Sequence, residues 1–118
     1  MKENVIQIKS YAFALRAIKL HKFLIENKTE FVLSKQILRS GTSIGANVEE
    51  AIGGLSKKDF TAKMSIAYKE SRETHYGVRL LRDSSLISEK ESDSLLADLD
   101  ELLKIIGTII KTSKNNNS

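Results

Sequence analysis

Between Ser34 and Leu55 the positions Ile37, Gly41, Ile44, Val48, Ala51 and Leu55 follow one another at alternating intervals of four and three residues. A strand presents one face at every second residue, so this interval excludes a strand and draws one apolar stripe along a helix. The same interval returns from Lys57 to about Asp83 in Phe60, Met64, Ala67, Ser71, Thr74, Val78 and Leu81, and from Glu89 to about Lys111 in Leu95, Leu99, Leu102, Ile106 and Ile109. A first segment, from about Ile6 to Glu26, places Ile8, Tyr11, Leu15, Ile18 and Ile25 on one stripe. Alternating three-four spacing belongs to helices packed side by side at shallow angles.

The turn chemistry separates four helices. Ser56 with Asp59 and Ser88 with Glu91 have the spacing of a helix N-cap, a hydroxyl followed by an acid three residues later. Gly53 and Gly54 are placed to close the second helix in a left-handed conformation. There is no proline in the 118 residues, and the abundant Lys, Glu, Leu, Ala and Ile are good helix formers. Helices are therefore expected at about residues 6–26, 34–53, 57–83 and 89–111. Short connections make successive helices antiparallel, which gives an all-α, up-down-up-down four-helix bundle over residues 1–112. Residues 113–118, polar from Lys114 onward, are expected to be a disordered tail.

Composition narrows the function classes. The chain is the size of one domain and needs no staple to fold. Its lack of cysteine excludes disulfides and thiolate chemistry. No apolar run is long enough to span a membrane and no secretory signal is legible at the start, so a cytoplasmic protein with no membrane partner is expected. Enzymatic readings fail for lack of parts. The two histidines, His21 and His75, do not form the Glu-x-x-His pairs of di-metal bundles. Glu70 and Glu73 share a face without them, and no nucleophile elbow or phosphate loop is present. No catalytic residues, metal or cofactor are expected. Gly41 and Gly45 read as a place where helices approach closely.

Two stripes exceed what a core requires. Ser40, Ser43, Asn47 and Glu50 on the second helix, and Ile66, Glu70, Glu73, Gly77 and Leu80 on the third, form ribbons beside the core. With Arg39 nearby to match the acids, they suggest a structural or subunit-interface network of Arg39, Ser43, Asn47, Glu50, Glu70 and Glu73; a solvated flank with salt bridges is the other reading. The net charge of +4 is modest but unevenly spread. Residues 1–28 carry six basic and two acidic side chains, and residues 56–84 carry seven and four. On the third helix Lys69, Arg72, Tyr76 and Arg79 share an outer line, which could hold phosphates by charge and a base by stacking, or could simply be solvated.

The stretch from Leu38 to Leu81, LRSGTSIGANVEEAIGGLSKKDFTAKMSIAYKESRETHYGVRLL, resembles the four-helix-bundle family of bacterial ribosomal-RNA intervening-sequence proteins. The resemblance rests on Arg39-Ser40, Ser43-Ile44, Ala46-Asn47, Glu50, Ser56 to Phe60, Lys69-Glu70, Glu73-Thr74 and Tyr76. Two positions depart from it: Ala51 stands where many members carry Gly, and Gly77 where a bulky aromatic is common. The resemblance implies a ring-forming bundle, typically a homopentamer. It also links the chain to the similar accessory proteins of diversity-generating retroelements, which bind nucleic acid and a reverse transcriptase through a basic surface. The expected function is thus a non-enzymatic oligomeric module that binds RNA or DNA through Lys9, Arg16, Lys69, Arg72, Tyr76 and Arg79. The alternative is a protein-protein interaction scaffold, its partner encoded nearby, without nucleic-acid contact.

Overall fold

The computed structural model describes residues 4–115, which form four α-helices: α1 (Val5–Lys28), α2 (Leu33–Ile52), α3 (Lys57–Asp83) and α4 (Glu89–Asn115). No strand occurs among the described residues. The molecule is an antiparallel four-helix bundle measuring 49 × 25 × 20 Å. Each helix packs along its sequence neighbour, whereas α1 and α4 touch at few points.

Side-chain caps start the helices. Asn4 accepts from the Gln7 amide at the head of α1, Ser56 from the Asp59 amide at α3, and Ser88 from the Glu91 amide at α4, each satisfying an amide that lacks an intrahelical partner. α2 begins differently. Its N-cap Val32 has no side-chain acceptor, and the Glu30 carboxylate instead accepts from the amides of Val32, Leu33 and Ser34. Gly53 and Gly54 do not adopt the expected left-handed conformation, since no glycine has positive φ and Gly53 sits at φ −83°. Among the described residues the left-handed ones are Thr29, which closes α1, and Ser85 after α3. There the Ser85 and Leu86 amides donate back to the Arg82 and Leu81 carbonyls and complete a Schellman-type turn.

Three of the four expected apolar stripes form the core. Ile37, Ile44, Val48 and Ala51 meet Met64, Ala67, Val78 and Leu81, and Leu95, Leu99, Leu102 and Ile106 close the far side. Leu55 is an exception, 97% exposed in the turn after α2. The stripe expected on α1 is a correction: Ile8, Tyr11, Leu15 and Ile18 face outward, and the buried set is Ile6, Ser10, Phe13, Ala17, Leu20 and Leu24. α1 carries large apolar residues on two faces, so large residues alone do not show which face is the core. Small residues do: Ala17 packs so closely on Gly41 that a Cβ added there would lie 2.7 Å from the Ala17 Cβ.

The end of α4 is a second correction. Residues 113–115, expected in a disordered tail, continue the helix. Ser113 is buried, its hydroxyl 2.6 Å from that of Thr61 on α3. The remainder of that tail, residues 116–118, lies outside the described residues.

Candidate functional site

The polar residues expected to form one network on α2 and α3 fall into three separate sets of contacts within the subunit. Arg39 reaches across from α2 and forks onto two carboxylates one turn apart on α3. Its Nη1 donates to Glu70 at 3.0 Å and its Nη2 to Glu73. Glu70 is buried, so removing this partner would leave a desolvated carboxylate uncompensated. One turn deeper the Thr74 hydroxyl donates at 2.8 Å to that of Ser40. Asn47 turns back along its own helix and donates to the Ser43 carbonyl and hydroxyl. Glu50 takes Lys63 at 2.8 Å. Paired with Arg39, Glu70 and Glu73 have a structural cation in place. Among the described residues no cluster of His, Asp or Glu has a metal-ligand arrangement.

The six residues expected to contact nucleic acid do not share one surface. Lys9 pairs with Glu101 at 3.1 Å, and Arg16 bridges Asp98 at 2.7 Å and Glu91 at 3.3 Å. Both α1 cations are thus drawn onto the acidic helix α4. The other four lie together on the outer face of α3, all exposed. Lys69 and Arg72 form no ion pair among the described residues. Arg79 lies over the Tyr76 ring, 5.6 Å from its centroid, so one face of that ring already carries a cation. The Arg79 Nε–H also donates to His75 Nδ1, leaving Nε2 of the neutral ring to donate to Asp100 at 3.1 Å. Lys58 extends this line: it is eleven residues, three helical turns, before Lys69 and is exposed. Extending the three-four spacing of Lys69, Arg72, Tyr76 and Arg79 backward through Ser65 leads to it.

Two hollows flank these side chains. A groove of about 360 Å³ runs between α2 and α3, with Gly77 and Ile37 in its lining beside Leu33, Tyr76 and Leu80. A wider cleft of about 880 Å³ opens where α1 diverges from the α3–α4 turn, lined by Leu20, Phe23 and Ile87 with Lys19, Lys28, Arg82 and Glu89. At its edge the Arg82 guanidinium bonds the Asp83 carboxylate and holds that carboxyl below its usual range. Its charges are mixed in sign, and among the described residues no buried polar side-chain atom lacks a partner.

These features define a class: a small antiparallel four-helix bundle with internally satisfied polar side chains and an exposed cationic line on one outer helix. The chain belongs to the 23S rRNA-intervening sequence protein family, whose model matches residues 2–108. It is similar to a solved protein of unknown function from the S23 ribosomal protein family of Bacteroides thetaiotaomicron. The two share 48% identity, with a TM-score of 0.91 over 94% of this chain and 99% of that one. Comparison with curated proteins finds no match. No helix among the described residues is long and apolar enough to cross a membrane.

Proposed function

We propose that this chain is a non-enzymatic, oligomeric four-helix module that binds nucleic acid through the outer face of α3. The observation that carries the reading is the contrast among its cations. Those of α1 that face α4 are neutralised by carboxylates, while Lys69 and Arg72 project from α3 with no acidic partner among the described residues. Unpaired cations in a row are what a phosphate backbone engages, releasing counterions as it binds. The family's name, which refers to an intervening sequence of 23S rRNA, supports RNA as the first ligand to try.

The experiment is fluorescence anisotropy of the purified protein with a structured RNA and a duplex DNA of equal length over a salt series. The double variant Arg72→Glu, Arg79→Glu is expected to weaken binding and to reduce the log-log salt slope by about one for each phosphate no longer engaged. Lys9→Glu should have little effect on affinity, because that cation already faces Glu101. Unchanged affinity and slope in the double variant would remove the proposal. The exposed apolar faces of α1 and α3 favour a second reading, a scaffold for another protein. It predicts a defined stoichiometric protein partner and no nucleic-acid affinity at low salt.

A further inference from the structure

The cleft between the second half of α1 and the α3–α4 turn is wider than the groove between α2 and α3, about 880 Å³ against about 360 Å³. It opens where two helices that touch at few points part from one another. Its floor is Leu20 and Ile87, both buried in the core, with Leu86 partly buried and Phe23 40% exposed beside them. Small-molecule sites occupy about 300–1,000 Å³ and join an apolar lining to a few placed polar groups. The volume of this cleft falls in that range, and its floor is apolar.

Four cations and two acids edge the cleft, Arg16, Lys19, Lys28 and Arg82 with Glu89 and Glu91, and their pairing decides its sign. Glu91 and Asp98 hold Arg16. Arg82 bonds Asp83, and Glu89 acts on it at longer range. Both acids of the rim are therefore engaged with an arginine. Lys19 and Lys28 are exposed and form no ion pair among the described residues. The surplus charge of the cleft is positive, and it lies on the α1 side. No Asn, Gln or Asp side chain lines the walls, so the donors and acceptors of a nucleobase or a sugar would go largely unmet.

We infer that this cleft is a binding site for a small amphipathic anion, an organic acid whose apolar body lies on Leu20, Phe23 and Ile87 and whose single negative group is met by the lysines of α1. Covering the apolar floor and the exposed Phe23 ring removes hydrocarbon from water, and the lysines set the sign and the orientation of the ligand. A wholly apolar molecule would gain nothing from Lys19 and Lys28. A polyanion would bring more charge than two lysines offset and would set it against Glu89 and Glu91. The site shares no residue with the line of Lys69, Arg72, Tyr76 and Arg79, and it stands independently of the nucleic-acid reading.

The test titrates octanoate into the full chain, with octanol and octylamine as neutral and cationic probes of the same length, followed by calorimetry and by backbone amide NMR. Saturable one-to-one binding of octanoate is expected, tighter than that of octanol or octylamine, with the resonance shifts centred on Phe23 and on Ser85 to Ser88. In the double variant Lys19→Glu, Lys28→Glu the affinity for octanoate should fall about tenfold, the cost of losing a charge-assisted contact. Octanol binding should stay as it was, and octylamine binding should tighten. Phe23→Ser should weaken all three probes. Both lysines are exposed, so their variant keeps the test valid even where circular dichroism shows that Phe23→Ser has lost helicity. Octanoate that fails to saturate, that binds no better than octanol, or that is indifferent to the lysine substitutions overturns the inference. Shifts centred instead on the exposed apolar side of α1 around Tyr11 and Leu15 overturn it as well, because they place the probe outside the cleft.

Discussion

The seam between α2 and α3 and the seam between α1 and α4 join helices by opposite means. Along α2–α3 the Ile37 side chain packs over Gly77, Ser40 and Thr74 share a buried hydrogen bond, and Arg39 clamps Glu70 and Glu73. Along α1–α4 there is little packing, and the helices are linked by Lys9–Glu101 and Arg16 to Asp98 and Glu91, all at least partly solvated. Packed apolar surface and buried hydrogen bonds hold geometry, while solvated ion pairs contribute little and are screened by salt. α2 and α3 therefore form the rigid half of the bundle, and α1 is fastened to it mainly through α2. That half also carries the cationic line of α3, the surface proposed for nucleic acid.

The sharpest way to break this comparison is at Ile37. Ile37→Ala empties the space above Gly77 and is expected to destabilise the protein by about 2–5 kcal/mol in chemical denaturation. A loss comparable to a surface substitution would show that the seam is not packed as described. Next come the two arginines. Arg39→Ala strands the buried Glu70 carboxylate and should cost about 1.5–3 kcal/mol. Arg16→Ala removes solvated pairs and should cost less than about 1 kcal/mol, an effect that largely disappears in 1 M salt, where the screening length is about 3 Å. Equal and equally salt-sensitive losses would erase the distinction between the seams. The smallest effect lies at the end of α3. Because the hydrogen bond from Arg82 lowers the Asp83 pKa below that of an ordinary aspartate, the pair stabilises the fold above the ordinary aspartate range, and that contribution is lost as pH falls through the lowered value. Asp83→Asn should remove this acid-side dependence without altering stability at neutral pH by more than a surface substitution does.

Much of this contrast is legible before folding. Arg39, Glu70 and Glu73 are recognisable as a matched set because residues three apart share a helix face, and an arginine on the next helix supplies donors that two acids need. Ser56 and Ser88 announce their helices, since a hydroxyl three residues before the amide it caps is a local signal. Glu30 gives no such signal for α2, because it is not one of the usual N-cap residue types and it reaches the amides from two residues before the cap position. Lys9 and Arg16 look as free as Lys69 and Arg72 in the chain. Their carboxylate partners on α4 lie 75 to 92 residues away in sequence, and no local pattern joins them.

By itself the sequence determined four helices, their approximate ends and the inward faces of α2, α3 and α4, because helical periodicity and capping are local properties of the chain. Only the tertiary structure decided which of two apolar faces of α1 is the core. Close approach at Gly41 selects the face carrying Ala17 and leaves the bulkier stripe outside, and that choice depends on a neighbour distant in sequence. The same long-range packing distributed the charges, drawing Lys9 and Arg16 of α1 onto α4 and leaving Lys69 and Arg72 on α3 in solvent.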